Sequence, residues 1–427
     1  MLIYSQSNST RLQYVCRFIF QEQMGIDYGL TTDAAHFENY DGPRINYSQL
    51  PIPGDIFSLK NHSLLFESGI RKQEITIFEN EGQKAFFCLP GSNFAFDIFA
   101  ATFYLLSRYE EYLPHEKDIY GRYAHQNSLA FEEDFLNKPL VNLWLFDFAK
   151  CLVQKFPNLK IQWSAFKFTP TYDIDIAWSY KSKGLVRNIG GFLKAPSLLR
   201  LAVLVGLQKD PFDSYAFLHR LHEEFRLNPI YFFLVATSPG SYDKNISPYN
   251  HRMWSLMKRH AKKYDVGLHP SWKSNVKKSL LSREKKILET AGDRTITKSR
   301  QHYIKIFMPQ TFERLQSAGI FNDYSMGYGS INGFRASVAS SFLWYNLSEE
   351  KTTSLRLHPF CFMDANSFYE QGQNATESLD ELLYYYRSCK GVHGEFISIF
   401  HNHFLGTDPL FEGWKEMYEQ FISQIQQ

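Results

Sequence analysis

The feature that most constrains the fold is a regular alternation of strand-like and helix-like segments over the second half of the chain. From Lys167 onward, runs of apolar, β-branched and aromatic residues are each followed by a segment with helical periodicity. The predicted strands are 167–176, 229–236, 265–269, 299–304, 320–324, 355–363 and 395–400. Strands that alternate with helices predict a parallel sheet, and about seven such units favour closure into an incomplete barrel.

The first part of the chain has a different pattern. Short strand-like runs are mixed there with two predicted helices, at 96–112 and 141–155. The change of pattern predicts two domains. Residues 1–160 are predicted to form a smaller α/β domain of unknown function, and residues 161–427 to form the barrel.

Composition excludes several classes of protein. The 46 Lys and Arg residues nearly balance the 44 Asp and Glu residues, so the net charge of +2 provides no global field that would recruit nucleic acid or an anionic membrane. The five cysteines are far apart and are predicted to be reduced. The N-terminus lacks a basic region followed by an apolar core, and we find no apolar stretch of the roughly 20 residues that span a bilayer. We therefore expect a cytoplasmic protein without membrane insertion.

Polar residues gather where the predicted strands end. Asp173 and Asp175 end the first strand, and because side chains at i and i+2 point to the same side, both carboxylates are expected in one small volume. The other candidates at strand ends are His269, Arg300, His302, Asp323, Tyr324, Arg335, His358, Asp364, His401 and His403. Oxygen and imidazole ligands suit a zinc-like ion that activates water, so metal-assisted hydrolysis is the predicted chemistry. The alternative is that one aspartate caps a helix while the other pairs with a surface lysine.

Five motifs resemble those of the polysaccharide deacetylases, the NodB-homology or carbohydrate esterase family 4 proteins. They are Thr-Tyr-Asp-Ile-Asp at 171–175, Gly-Leu-His-Pro-Ser at 267–271, Arg-Gln-His-Tyr at 300–303, Gly-Phe-Arg-Ala at 333–336 and Ile-Ser-Ile-Phe-His-Asn at 397–402. The resemblance covers the second half and is closest to a bacterial subgroup in which an N-terminal region of unassigned function precedes this domain. It implies a distorted (β/α)7 barrel, a divalent metal and the removal of N- or O-acetyl groups from sugar polymers.

The resemblance also assigns roles by position. It implies that Asp173 is the general base, that Asp175 and His269 are metal ligands, that Arg335 or Arg300 holds the base, and that His401 is the general acid.

The chain departs from the family pattern at two positions. Lys273 stands where the family has its second metal histidine, and Ser337 stands where the family has a proline after Arg-Ala. A protonated lysine cannot bind zinc. We therefore predict that His302, two residues after Arg300, completes an Asp175–His269–His302 site.

The predicted function is hydrolysis of acetyl groups on an N- or O-acetylated carbohydrate by a metal-activated water. Trp178, Trp272 and Tyr324 stand beside the motifs and are predicted to stack on a sugar face, with ordinary packing as the alternative. Two other functions remain open. One is a non-catalytic glycan-binding or assembly protein of surface polysaccharide synthesis, and the other is a hydrolase of a small non-peptide amide.

Overall fold

Two sheets of mainly parallel strands organise the chain. The structure is a computed structural model that describes residues 1–184, 188, 189, 193, 196–238 and 240–426. The small sheet has the parallel order β2-β1-β3-β4. Its strands are β1 (Leu2–Tyr4), β2 (Gly29–Thr31), β3 (Arg44–Asn46) and β4 (Phe57–Ser58), and β5 (Phe78–Asn80) and β6 (Gln83–Ala85) form a separate hairpin.

Five α-helices belong to the first part of the chain. They are α1 (Thr10–Cys16), α2 (Ala34–Glu38), α3 (Ile98–Leu106), α4 (Leu129–Glu132) and α5 (Leu140–Lys155). Every residue of α3 is buried, as expected for a helix that is apolar all round. Asp97 begins α3, since its carboxylate accepts the N–H groups of Phe99 and Ala100, each at 3.0 Å.

The large sheet is built from the second half of the chain. Its strands are β7 (Lys167–Ile174), β8 (Ile230–Leu234), β9 (Asp265–His269), β10 (Lys298–Ser299), β11 (Asn322–Asp323), β12 (Phe342–Asn346), β13 (Lys351–Leu357), β14 (Phe362–Met363) and β15 (Glu395–His401). Their order is β12-β13-β11-β10-β9-β8-β7-β15-β14, and only the β12–β13 pair is antiparallel. The helices of this half for which the structure gives bounds are α6 (Leu198–Leu204), α7 (Tyr215–Glu224), α8 (His251–Lys263), α9 (Lys278–Gly292), α10 (Gln310–Ser317), α11 (Ala375–Gly391) and α12 (Trp414–Ile425).

Short turns of tighter or wider helix complete the chain. Single 3-10 turns lie at Ser63–Phe66, Tyr109–Tyr112, His125–Asn127, His302–Ile304 and Pro409–Phe411, and π-helical turns lie at Arg17–Gln23 and Asn366–Glu370. Within the described residues, no helix combines the length and the apolar character needed to cross a bilayer.

The architecture is mixed α/β with parallel strands, as the alternating pattern predicts. Two details differ. The strand predicted at 355–363 is two strands, β13 and β14, and they are separated by a stretch that contains Pro359, which cannot donate to a sheet ladder. The antiparallel β12 was not predicted. Among the described residues, no pairing joins β14 to β13 or β12, so closure of the sheet into a barrel is not shown.

Strand β7 sets the position of the candidate site because it is paired on both sides. Its register places Asp173 opposite His401 on β15 and opposite Phe232 on β8. In the neighbouring pair of strands, Leu234 on β8 lies opposite His269 on β9. Parallel strands bring their C-terminal ends to one edge. Asp173 and His401, both near a strand's C-terminus, are therefore direct neighbours.

A buried cluster of charges joins the two halves of the chain. Glu111 accepts hydrogen bonds from Nε and Nη2 of Arg335, at 2.8 and 2.6 Å, and from Nε of Arg108 at 2.8 Å. All three side chains are buried. Burial alone would raise the pKa of Glu111, but Arg335 and Arg108 lower this pKa to about 2. The first half therefore supplies a carboxylate that neutralises an arginine of the second half.

Replacing Glu111 tests the contribution of this cluster. Glu111→Gln leaves Arg335 and Arg108 buried without their shared anion, so the free energy of unfolding should fall by about 3 kcal/mol. Chemical denaturation measures this change. Asp147→Asn is the matched control, because the partner of Asp147 is the exposed Lys150 and the expected change is at most about 0.5 kcal/mol. Equal effects of the two substitutions would contradict a structural role for the cluster.

The same cluster predicts a pH dependence. Glu111 has a pKa of about 2 in the folded chain and an ordinary value of 4.5. Its stabilising effect is present above the ordinary pKa and is lost as the pH falls through the folded pKa. Between about pH 4.5 and pH 2, the native chain should therefore lose more stability than Glu111→Gln does, as measured by denaturation at a series of pH values.

Candidate metal centre

The carboxylate of Asp175, one residue beyond β7, lies among three imidazoles. The Nε2 atom of His269 is 3.1 Å from its Oδ1, and the Nε2 atoms of His302 and His401 are 3.3 and 3.5 Å from its Oδ2. The His269 contact is not a well-aligned hydrogen bond, because Oδ1 of Asp175 is buried and has no hydrogen-bond partner. A buried carboxylate oxygen without a partner, next to imidazole nitrogens, is a donor set that suits a divalent metal.

Hydrogen bonds on the far side of two of these rings select the nitrogen that faces Asp175. The Nδ1 atom of His269 lies 2.5 Å from the carbonyl oxygen of Arg300, and Nδ1 of His302 lies 3.0 Å from a carboxylate oxygen of Asp243. When Nδ1 donates in each case, the neutral rings present the lone pair of Nε2. Asp175, His269 and His302 each offer one ligand atom, and these three atoms lie within 4.8 Å of one another. The three residues predicted as ligands therefore converge and fit a metal ion.

Neighbouring charges shift the pKa values of Asp175 and His302. Burial would raise the pKa of Asp175, but His302 and His269 hold this pKa well below its ordinary value. Burial would lower the pKa of His302, but Asp175 and Asp243 raise it to about 9. His302 thus carries a proton in the metal-free chain, and a divalent ion would take the place of that proton.

His302 reaches the site in a way that differs from the prediction. The expected strand 299–304 ends at Ser299, and His302 begins a 3-10 turn in which Tyr303 has a φ of 59°. Arg300 and His302 do not share one strand face, yet Arg300 reaches Asp173 and His302 reaches Asp175. Lys273 is exposed and lies outside the residues that surround Asp175.

Asp173 is the second buried carboxylate, and an arginine holds it. Its Oδ1 accepts a hydrogen bond of 2.9 Å from Nη1 of Arg300, which also donates to Oγ1 of Thr171 at 2.7 Å. Its Oδ2 lies 3.9 Å from Nε2 of His269. Asp173 is thus beside the three candidate ligands while one of its oxygens is fixed by Arg300. Of the two arginines that the resemblance offers for this contact, Arg300 makes it, and Arg335 binds Glu111 instead.

His401 is held in a charged form by a buried aspartate. Its Nδ1 is 2.7 Å from Oδ1 of Asp364, whose Oδ2 accepts the backbone N–H of His401 at 2.6 Å. Burial would lower the pKa of His401, but Asp364 and Asp175 raise this pKa well above its ordinary value. The Nε2 atom of His401 therefore carries a proton that can be donated toward Asp175 and the space beside it.

A cavity of about 490 Å³ opens over these groups. This volume is in the range of small-molecule sites. Asp173, Asp175, His269, His302 and His401 all line it. Its aromatic surface comes from Tyr120, Tyr242, Tyr303 and Tyr369.

The first part of the chain supplies one wall of this cavity. Tyr120 and Arg122 both line it. Nη1 of Arg122 donates to the carbonyl oxygens of Tyr303 and Gly329, at 2.7 and 3.2 Å, and Nε donates to a carboxylate oxygen of Asp118 at 2.6 Å. These bonds fasten the segment from Asp118 to Arg122 against the second half of the chain.

The three predicted sugar platforms do not line this cavity. Tyr324 is buried and stacks on His358, with ring centres 4.3 Å apart. Trp178 is buried against Tyr215. Trp272 stacks behind Tyr242 at 4.0 Å, so it supports an aromatic residue that does line the cavity. The sequence also gave no role to Asp243, whose only signal was an acidic residue in the loop after a predicted strand.

Comparison with known proteins gives one family match and several structural matches. The model of a family of unknown function, DUF7033, matches residues 1–157. No curated protein matches the chain. The matched structures include a putative polysaccharide deacetylase from Mycobacterium smegmatis, with 12% identity and a TM-score of 0.41, which covers 62% of this chain and 84% of that chain.

Two further structures extend this comparison. A probable polysaccharide deacetylase from Pseudomonas aeruginosa is 12% identical with a TM-score of 0.37, and the match covers 61% of this chain and 84% of that chain. A CE4 family pseudoenzyme from Bacillus anthracis is 9% identical with a TM-score of 0.32, and the match covers 60% of this chain and 61% of that chain. At these TM-scores the likenesses carry no inference about activity. The matched structures come from the family that the motifs of this chain resemble.

Proposed function

We propose that the chain is a metal-dependent hydrolase that removes acetyl groups from an N- or O-acetylated carbohydrate. The supporting observation is that one cavity brings together three kinds of group: a candidate ligand set, a carboxylate held by an arginine and a charged histidine. Metal-assisted hydrolysis of an acetyl group uses all three: a metal site, a base and an acid. A distorted (β/α)7 barrel for residues 161–427 and a cytoplasmic location are parts of the same proposal.

Asp175, His269 and His302 would hold the metal. When bound, a divalent ion such as zinc polarises a carbonyl oxygen and makes a water molecule more acidic. Asp243 keeps His302 in the orientation that binding requires, because it accepts the proton on Nδ1.

Asp173 and His401 would move the protons. Asp173 accepts a proton from the attacking water at Oδ2, while Arg300 holds the carboxylate in place through Oδ1. His401 donates a proton from Nε2 to the departing amine or alcohol, and Asp364 stabilises the charged imidazole until then. The acid role therefore falls to a group that already carries the proton it would donate.

The cavity wall suits a sugar. Tyr120, Tyr242 and Tyr303 lie with ring centres 5.1 to 6.2 Å apart, so their faces and hydroxyls border one space. Aromatic faces pack on the apolar face of a sugar ring, and phenol groups hydrogen-bond its hydroxyls. Because Tyr120 belongs to the first part of the chain, we infer that this part helps to bind the substrate.

Metal binding tests the ligand set. His302→Ala and His269→Ala should lower zinc affinity to a similar extent, because each removes one of three protein ligands. Asp243→Asn should lower it about 10- to 100-fold through the orientation of His302. Isothermal titration calorimetry measures these affinities. His251→Ala, which removes an exposed imidazole, is the matched control and should leave affinity unchanged. Unchanged affinity in all of these variants would remove the proposed site.

Acetate release tests the chemistry. With acetylated oligosaccharides as substrates, Asp173→Asn should abolish turnover and leave zinc bound, because the amide keeps the shape and loses the basicity. His401→Ala should slow turnover about 10²- to 10⁴-fold. Lys273→Ala, an exposed change near the site, should have little effect.

The same assay separates the alternatives. Glycan binding without acetate release would favour the non-catalytic glycan-binding protein. Release only from small amides would favour the other hydrolase. Full activity of Asp173→Asn would remove Asp173 from the mechanism.

A further inference from the structure

A segment of unusual charge follows the candidate site in the sequence. Between Asp175 and Asp210 the chain has no acidic residue. It has six basic residues there, which are Lys181, Lys183, Arg187, Lys194, Arg200 and Lys209. With Asp210 included, residues 179–210 carry a net charge of +5, and since the whole chain has a net charge of +2, the remainder carries +2 minus 5, or −3. The positive charge is therefore concentrated in this segment, which we call the basic excursion (residues 179–210).

The basic excursion also exposes large apolar side chains. Leu198 and Leu207 are 85% and 81% exposed. Among the residues of this segment that the structure describes, the exposed large apolar ones are Ile189, Leu193, Leu198, Leu201, Leu204, Val205 and Leu207. Elsewhere in the described chain such residues are scattered, which is normal for a protein surface. A contiguous exposed apolar group marks an interaction surface.

Helix α6 shows how these side chains are directed. Ser197 begins the helix, since its hydroxyl accepts the N–H of Arg200 at 3.3 Å. Val203 is 1% exposed and anchors the helix to the protein. Leu198, Leu201 and Leu204 are exposed. With about 100° between successive residues, these leucines lie on the arc opposite Val203, and α6 presents an apolar ridge to solvent.

The two ends of the basic excursion are fastened together. Asp210 is buried, and its carboxylate accepts the N–H groups of Ser179, Tyr180 and Lys181 at 2.7, 2.9 and 3.0 Å. The guanidinium of Arg200 lies over the ring of Tyr180, 4.9 Å from its centre. The ridge is therefore attached at defined points and is not a free chain.

A cationic cleft lies beside the ridge. It has a volume of about 460 Å³ and is bordered by Leu204 and Val203 on one side and by α8 on the other. Its lining includes the cations Lys181, Arg252 and Arg259. Among the described residues, it contains a single carboxylate, Asp213, whose Oδ1 lies 3.8 Å from Nζ of Lys209. Arg252 and Arg259 are exposed. Cations thus adjoin exposed leucines on one face.

We propose that the basic excursion and the adjoining cleft dock on the surface of an anionic phospholipid bilayer. Leucines of α6 would enter the boundary between headgroups and acyl chains, and Lys181, Arg252 and Arg259 would contact lipid phosphates. A face with this charge repels a second copy of itself, which disfavours a symmetric dimer. Nucleic acid would be bound through its phosphates and would leave the leucines in water. An anionic lipid surface accommodates both the charge and the apolar ridge.

Vesicle sedimentation with the full chain tests this proposal. The chain should bind vesicles of phosphatidylcholine with about 30% phosphatidylglycerol more tightly than vesicles of phosphatidylcholine alone, and added salt should weaken the binding. The double variant Leu198→Glu/Leu201→Glu should bind at least about 10-fold more weakly. Leu410→Glu, which places the same charge at a leucine that is 59% exposed elsewhere, is the matched control and should bind normally.

A second pair of variants isolates the cationic cleft. Arg252→Glu/Arg259→Glu should weaken binding to the anionic vesicles about 10-fold or more, and Lys72→Glu, an exposed change far along the sequence, should not. Thermal unfolding and acetate release from a soluble substrate, unchanged in each variant, would show that the fold is intact. The proposal is overturned if the native chain does not bind the anionic vesicles, or if the leucine variants bind as well as the native chain. Self-association through this face, or preferential binding of single-stranded nucleic acid, would also overturn it.

Discussion

The charge of Asp175 is the constraint on which the candidate site depends. Burial opposes this charge, and a carboxylate with no partner at this position would take up a proton. Three imidazole nitrogens within 3.5 Å offset the burial. Each ring is in turn held from behind, by the carbonyl of Arg300 and by the carboxylates of Asp243 and Asp364. These groups come from separate strands and loops, so the arrangement requires the parallel order of strands around β7.

The sequence predicted the parts of the site that follow directly from strands. Asp173 lies near the end of β7, Asp175 follows that strand directly, and His269 and His401 end neighbouring strands, so the predicted strand ends were enough to place these residues together. His302 was predicted as the replacement for the missing histidine at Lys273, and it does reach Asp175. Asp243 and Tyr242 lie in a loop, where no periodicity exists. Tyr120 and Arg122 are more distant still, since a contact across nearly two hundred residues leaves no local pattern.

Arg335 shows that a sequence motif does not identify the carboxylate with which a buried arginine pairs. A buried guanidinium must meet a carboxylate, but the sequence motif does not say which one. The resemblance offered Asp173, and the structure places Arg335 on Glu111 from the first part of the chain, while Arg300 holds Asp173. The first 157 residues, which match only a family of unknown function, thus reach the other half through a buried ion cluster and through a wall of the cavity. Whether 1–160 and 161–427 are separate folding units stays a prediction.

The net charge of the whole chain and the local charge of one segment predict different binding partners. A value of +2 for the whole chain correctly describes the absence of a global field, yet it averages six cations of the basic excursion with an acidic remainder. The apolar half of the pattern needed the structure, because the sequence does not show which leucines α6 exposes. The basic excursion begins four residues after Asp175, and Asp210 at its end clamps its first residues. The clamp and the buried Val203 attach the proposed docking surface to the same half of the chain as the candidate site through defined contacts, whereas a flexible linker would leave it free.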